Sequence, residues 1–139
     1  MGVKEYLRQA RHLKKKIEYR QNQIIELQSM AGRTTGSCEA LRVSGTSSRS
    51  KLEDAIIRID SVAGKLANDV AKYAEAYQEI SNAIEAVEDE RYKELLTLYY
   101  LCFMTWEEVA VKMGKSWRWI MRMHQKSLMA IVSHIPPVL

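Results

Sequence analysis

The sequence is poor in proline, phenylalanine and cysteine, and each shortage argues against a class of structure. Its two prolines lie at positions 136 and 137, so no proline interrupts a helix in the preceding chain. There is one phenylalanine, and β-branched residues do not alternate with polar ones over any long stretch, which argues against a β-sheet. Cys38 and Cys102 lack CxxC spacing and a nearby histidine, so we interpret each as a small apolar residue or an incidental thiol.

Long apolar runs are also missing. The longest nearly apolar run, residues 95–104, is too short to span a bilayer, and the first residues are too polar for a signal peptide. The N-terminal myristoylation pattern fails because Tyr6 occupies the position that requires serine or threonine. These features predict a cytoplasmic protein that makes no membrane contact.

Charge is distributed unevenly along the chain, whose formal net charge is +4. Residues 1–20 are strongly basic and residues 51–94 are acidic on balance. From Lys112 onward there are five basic residues and no acidic one, the charge pattern of a surface that binds a polyanion such as nucleic acid. The alternative interpretation is a solvated charged face. The five residues are Lys112, Lys115, Arg118, Arg122 and Lys126.

Two long helices are predicted before residue 88. Apolar residues spaced three and four apart predict a helix over residues 3–31, with a heptad seam that is interrupted at Arg20. A capping box of Ser50 and Glu53 predicts the start of the second helix. Its predicted seam contains Leu52, Ile56, Ile59, Ala63, Leu66, Val70, Tyr73, Tyr77, Ile80, Ile84 and Val87.

The segment between these helices, residues 32–49, is rich in glycine, serine and threonine and is predicted to be a long flexible connection. It lacks the Gly-Lys-Ser/Thr ending of a phosphate-binding loop. Residues 1–87 should therefore form an antiparallel coiled-coil hairpin. Because a single hairpin buries little apolar surface, we expect two copies to associate as a homodimer.

Residues 88–135 are predicted to form a separate, all-helical domain that ends in a helix-turn-helix. A first helix begins at Glu88-Asp-Glu and directs Leu95, Leu98, Leu101 and Cys102 inward. The second begins at a capping box of Thr105 and Glu108 and ends at Gly114, and Ser116 caps the third. The expected inward residues of the second helix are Trp106, Val109, Ala110 and Met113.

The last helix divides into two faces. Ile120 is predicted to face the core together with Met123, Ser127 and Ile131, and Trp117 points partly inward while Trp119 lies on the flank. The opposite face carries Arg118, Arg122 and Gln125, whose side chains can bond the major-groove edges of guanine and adenine. The candidate phosphate contacts around them are Thr105, Lys112, Lys115, Ser116 and Lys126.

The C-terminal motif resembles the helix-turn-helix in region four of primary-type bacterial sigma factors. The pattern there is Thr-x-x-Glu-Ile-Ala followed by x-x-Leu-Gly-x-Ser, and this chain has Thr105-Trp-Glu-Glu-Val-Ala-Val-Lys-Met-Gly-Lys-Ser116. Over its whole length the chain is similar to a family of small phage and prophage proteins of Gram-positive bacteria, which join a coiled coil to a sigma-like tail. Related phage proteins are associated with control of late gene transcription.

This resemblance implies a transcription regulator that binds double-stranded DNA and has RNA polymerase as a candidate partner. The base-contacting positions of region four align with Trp117, Arg118 and Arg122. A complete sigma factor is not implied, because coiled coil over residues 1–87 takes the place of the promoter-melting regions.

Two other functions fit the same sequence. Small terminase subunits of phages also join a helix-turn-helix to oligomerising helices, and they bind packaging-site DNA as rings. A coiled-coil adaptor that binds RNA polymerase without touching DNA is the other alternative. We expect no enzymatic activity and no cofactor or metal, because His12, His124 and His134 are scattered and no nucleophile-base arrangement is evident.

Overall fold

The computed structural model describes residues 2–36 and 45–136, with side chains described over 2–32 and 49–136. The chain is all-helical, as predicted, and these ranges contain no β-strand. The α-helices are α1 (Val3–Leu7), α2 (Gln9–Gly36), α3 (Gly45–Glu85), α4 (Glu90–Leu96), α5 (Trp106–Met113) and α6 (Trp117–Ile131). A π-helical turn, Thr97–Leu101, continues α4, and a 3₁₀ turn, Val132–His134, follows α6.

The helices extend further into the predicted loop than glycine content suggests. The predicted loop, 32–49, is helical up to Gly36 and again from Gly45, and the rest of it, including Cys38, lies outside the described residues. The capping box at Ser50 is therefore wrong, because Ser50 lies within α3. A glycine inside a helix costs only about 1 kcal/mol, which adjoining turns can offset.

Four of the eleven residues predicted for the second seam are displaced by one residue. Leu52, Ile59, Leu66 and Tyr73 are partly buried and Ile80, Ile84 and Val87 are buried, as predicted. In contrast, Ile56 is 50% exposed, Val70 is 45% exposed, and Ala63 and Tyr77 are also on the exposed side. The residues that are covered instead are the preceding ones, Ala55, Val62, Asp69 and Ala76, together with Ala83.

An ion pair explains the displacement at Asp69 and Val70. Arg20, the residue that interrupts the seam of α2, donates from Nε to Oδ2 of Asp69 at 2.8 Å. Asp69 is buried, so the pair lies between the two helices rather than on the outer surface. One residue is a rotation of about 100° around a helix. Turning Asp69 toward Arg20 therefore turns Val70 away.

Contacts divide the chain into two compact units, residues 1–14 with 72–139 and residues 15–71. This division differs from the predicted boundary after residue 87, because both ends of the predicted hairpin belong with the C-terminal helices. The first cluster of buried residues explains why. It joins Tyr6, Leu7 and Ala10 to Ile80, Ala83, Ile84, Val87, Leu96, Tyr100, Leu101, Leu128 and Ile131.

A second cluster lies among the last three α-helices. It contains Leu95 and Leu98 from α4 and its π turn, Val109 from α5, and Ile120 and Met123 from α6. The segment Glu90–Leu101 thus contributes buried residues to both clusters. This is why the nearly apolar run that begins at residue 95 has no polar face of the usual width.

Candidate nucleic-acid interface

Helix α5 begins where its sequence predicted. Thr105 is extended, and its Oγ1 accepts a hydrogen bond from the Glu108 amide at 3.2 Å. In return Oε1 of Glu108 accepts from the Thr105 amide at 3.4 Å. The predicted capping box is confirmed, and it fixes the first turn of α5.

The connection from α5 to α6 is a short turn at Gly114, which adopts the left-handed conformation with φ 65° and ψ 37°. The Lys115 amide donates to the Ala110 carbonyl at 3.0 Å, and Oγ of Ser116 accepts from the Trp119 amide at 3.1 Å. A Cβ at position 114 would meet no atom within 4 Å, so the backbone conformation, rather than space, favours glycine here. The predicted turn and cap are confirmed.

The inner faces of α5 and α6 also follow the prediction. Val109 is buried, and Trp106, Ala110 and Met113 pack against the second cluster. Met123, Ser127 and Ile131 are buried along with Ile120. Cys102 was predicted to point inward, and this prediction is wrong. Its side chain is exposed, just after the π turn ends at Leu101.

The candidate base-contacting side chains lie on the outer surface of α6. Arg118, Arg122 and Gln125 are exposed, and positions 118, 122 and 125 fall within about 60° of one another on a helix. Trp117 is 58% exposed, so it points outward rather than partly inward as predicted. Trp119 is partly buried on the flank, and the Lys115 ammonium lies 5.3 Å from its ring centroid.

The candidate phosphate-contacting residues are exposed as well. Lys112, Lys115 and Lys126 form no ion pair with any other part of the chain that the structure describes. Thr105 and Ser116 use their hydroxyl oxygens as acceptors in the two caps, which leaves each O–H able to donate to an anion. The α5–α6 surface therefore offers cations and hydrogen-bond donors.

Comparison with protein-family models, with curated proteins and with solved structures finds no match for this chain. Among the described residues, no helix combines the length and the apolar character needed to cross a bilayer. Within the same residues, no group of three His, Cys, Asp or Glu side chains could hold a metal ion.

A buried polar pair beneath the α5–α6 surface was not predicted. Oη of Tyr100 and Nε2 of His124 are 2.7 Å apart, and His124 is 4% exposed. Burial, together with the nearby charges of Lys4 and Arg8, lowers the pKa of His124 to about 4. Burial also raises the pKa of Tyr100. Because His124 is four residues after Ile120 and three before Ser127, its helical position was the signal for burial.

Arg11 is a second residue whose role the sequence did not reveal. Its Nη2 donates to the carbonyl oxygens of Tyr99 at 2.8 Å and Met104 at 3.0 Å. Its guanidinium carbon lies 4.4 Å from the ring centroid of Tyr99, which stacks on Trp106 with centroids 3.7 Å apart. Arg11 therefore holds the segment between α4 and α5, where Phe103 has a φ of 58°.

Proposed function

We propose that this chain is a sequence-specific DNA-binding regulator of transcription, of the phage and prophage kind that joins a coiled coil to a sigma-like helix-turn-helix. In this proposal α5, the Gly114 turn and α6 are the helix-turn-helix, and α6 enters the major groove. The observation that carries it is the exposed face of α6 with Arg118, Arg122 and Gln125. This helix follows a short turn in which Gly114 caps the end of α5 and Ser116 caps the start of α6.

Charge supports the same proposal. No acidic residue follows Glu108, so the outer surface of α6 has no carboxylate of its own to repel phosphates. Arginine can bond O6 and N7 of guanine together, and glutamine can bond N6 and N7 of adenine. In this arrangement Trp117 lies at the edge of the groove, and the phosphate contacts come from Thr105, Lys112, Lys115, Ser116 and Lys126.

The first test is selection of duplexes from a random pool by the full chain, followed by Arg118→Ala and Arg122→Ala. Each substitution is expected to weaken binding to selected duplexes by about 1–3 kcal/mol and to relax base preference at specific positions. Affinity and base preference are measured by repeated selection and by titration at fixed salt.

The matched control is Arg49→Ala with Arg58→Ala, two exposed arginines of α3. This pair removes the same charge, so any general electrostatic effect is common to both double variants. If Arg118→Ala/Arg122→Ala kept the wild-type preference and affinity, α6 would not be the base-contacting helix.

The homodimer is part of the same proposal, and the apolar surface of residues 15–71 supports it. Of the described side chains in this unit only Asp69 is buried, while Ile25 and Ile57 are 61% and 65% exposed. With Ile56 and Val70 they leave apolar area that a second copy can cover. Pairing of α2 with α3 as an antiparallel hairpin fits the contact between Arg20 and Asp69.

We expect the chain to sediment as a dimer and Ile56→Glu/Val70→Glu to sediment as a monomer, because two carboxylates would be placed in the apolar interface. Gln21→Glu/Asn22→Glu, which adds the same charge at exposed positions of α2, is the control and is expected to remain dimeric. Sedimentation equilibrium measures the stoichiometry. A ring of many copies would favour DNA packaging over regulation, and a wild-type monomer would contradict the dimer.

A further inference from the structure

The connection between α4 and α5 passes through a residue in an uncommon backbone conformation. Phe103 has a φ of 58°, a left-handed conformation that costs free energy for a residue with a Cβ and persists where surrounding contacts fix it. Two other helices contact its ring. The Lys14 ammonium of α2 lies 4.7 Å from the ring centroid, and the centroid of the Tyr73 ring of α3 lies 6.5 Å away. The shape of this connection therefore depends on residues distant in sequence.

Arg11 of α2 bonds to the same connection on both sides of Phe103. Its Nη2 atom donates to the carbonyl oxygen of Tyr99, within the π turn, and to that of Met104, the residue before the N-cap of α5. Hydrogen bonds from a charged donor are stronger than those between neutral groups, and one planar guanidinium fixes the separation of the two carbonyls. Because Met104 directly precedes Thr105, these bonds fix the start of α5 relative to α2.

A continuous series of ring contacts leads from Arg11 to the middle of α6. The guanidinium lies over the ring of Tyr99, which stacks on Trp106 of α5, and the ring centroids of Trp106 and His124 are 4.5 Å apart. His124 lies on the buried side of α6, where the Tyr100 hydroxyl is within hydrogen-bond distance. Arg11 therefore contacts, directly or through Tyr99, the groups that set how α5 packs against α6.

We propose that Arg11 is a positioning residue for the α5–α6 surface. It holds the first turn of α5 in place, so that the Thr105 hydroxyl keeps its position relative to Arg118 and Arg122 of α6. The effect on DNA binding rests on the proposed function. Specific contacts need groups held within about 0.5 Å of their working positions, whereas non-specific attraction to phosphates depends mainly on charge. Loss of Arg11 is therefore expected to weaken specific binding and to spare non-specific binding.

The first test uses the free chain and needs no DNA. In Arg11→Met, amide hydrogen exchange measured by NMR is expected to be about tenfold faster than in wild type at Glu108, whose amide bonds to Thr105 in the first turn of α5. Exchange at Trp119, whose amide bonds to Ser116 at the start of α6, is expected to keep its wild-type rate. A general loss of stability would raise both rates, so the difference between them identifies a local effect.

The second test is binding of Arg11→Met to one duplex selected by the wild-type chain and to one random-sequence duplex. Affinity for the selected duplex is expected to fall about tenfold, because loss of a positioning contact misplaces the groups that touch bases. Affinity for the random duplex and the slope of log K against log salt are expected to stay at wild-type values. If Arg11 contacted a phosphate itself, that slope would fall by about 0.9 on both duplexes.

Two variants separate position from charge. Arg11→Lys keeps the charge and lacks the planar group that bonds both carbonyls and lies over Tyr99, so it is expected to lose specific affinity as Arg11→Met does. Lys16→Met removes one exposed positive charge from the same helix and is expected to bind both duplexes as wild type does.

The outcomes distinguish this inference from the proposed function. Exchange at Glu108 that stays at the wild-type rate, or that rises equally at Trp119, in both Arg11 variants overturns the inference. Faster exchange at Glu108 with undiminished affinity for the selected duplex overturns it as well. Failure of the wild-type chain to bind either duplex overturns the proposed function, and the exchange rates still decide whether Arg11 fixes the start of α5.

Discussion

Arg20→Met is expected to lower the free energy of unfolding by about 3 kcal/mol, one of the two largest effects we expect from a single change. The substitution removes the guanidinium that lies 2.8 Å from the buried carboxylate of Asp69. The loss of one partner of this largely buried ion pair appears directly in stability, because the desolvation of Asp69 is then offset less well. Urea unfolding followed by circular dichroism measures the difference.

Two further variants make this result specific to the pair. Arg20→Met/Asp69→Leu is expected to return close to wild-type stability, because apolar side chains of similar size can replace an ion pair in this setting. Arg49→Met, at an exposed position of α3, is expected to change stability little. If Arg20→Met were as mild as Arg49→Met, the ion pair would not account for the displaced seam.

The second large effect is a loss of stability in mild acid. The pKa of His124 falls from 6.5 to about 4 on folding. Between these pH values the imidazole is protonated in the unfolded chain and neutral in the folded chain. The stability that neutral, buried His124 provides is therefore complete above pH 6.5, and it is lost as the pH falls from about 6.5 to about 4. Over that window the difference in pKa corresponds to about 3 kcal/mol.

His124→Gln isolates this contribution, since glutamine can bond the Tyr100 hydroxyl but does not titrate. Carboxylates also take up protons below about pH 5, so the informative quantity is the difference between wild type and His124→Gln at each pH. We expect wild type to lose about 3 kcal/mol more than the variant between pH 7 and pH 4. Parallel pH curves for the two proteins would show that His124 does not titrate differently on folding.

Capping residues and helical periodicity predicted the boundaries and faces of α5 and α6 well. The boundaries of α5 and α6 depend on Thr105, Gly114 and Ser116, whose effects act within one helical turn. The exposure of Arg118 and Arg122 followed from their angle to Ile120, because burial of one helical face fixes the opposite one.

The predictions that failed concern residues whose contacts are with partners distant in sequence. Ile56 and Val70 are better seam residues than Ala55 and Asp69 when α3 is considered alone. The position of Arg20 on another helix favours burial of Asp69 over Val70. The role of Arg11 likewise requires knowing that Tyr99 and Met104 lie beside α2, which no helical period can reveal.

The double burial of Glu90–Leu101 limits how this protein can exchange parts with others. Leu95 and Leu98 share a cluster with residues of α5 and α6, whereas Leu96 and Tyr100 share one with earlier residues such as Tyr6 of α1 and Ile80 of α3. A recombination event that transferred only the segment after residue 88 would carry an exposed apolar flank into its new host. We therefore expect the C-terminal segment to need residues 1–14 and 72–87 in order to cover its second buried side.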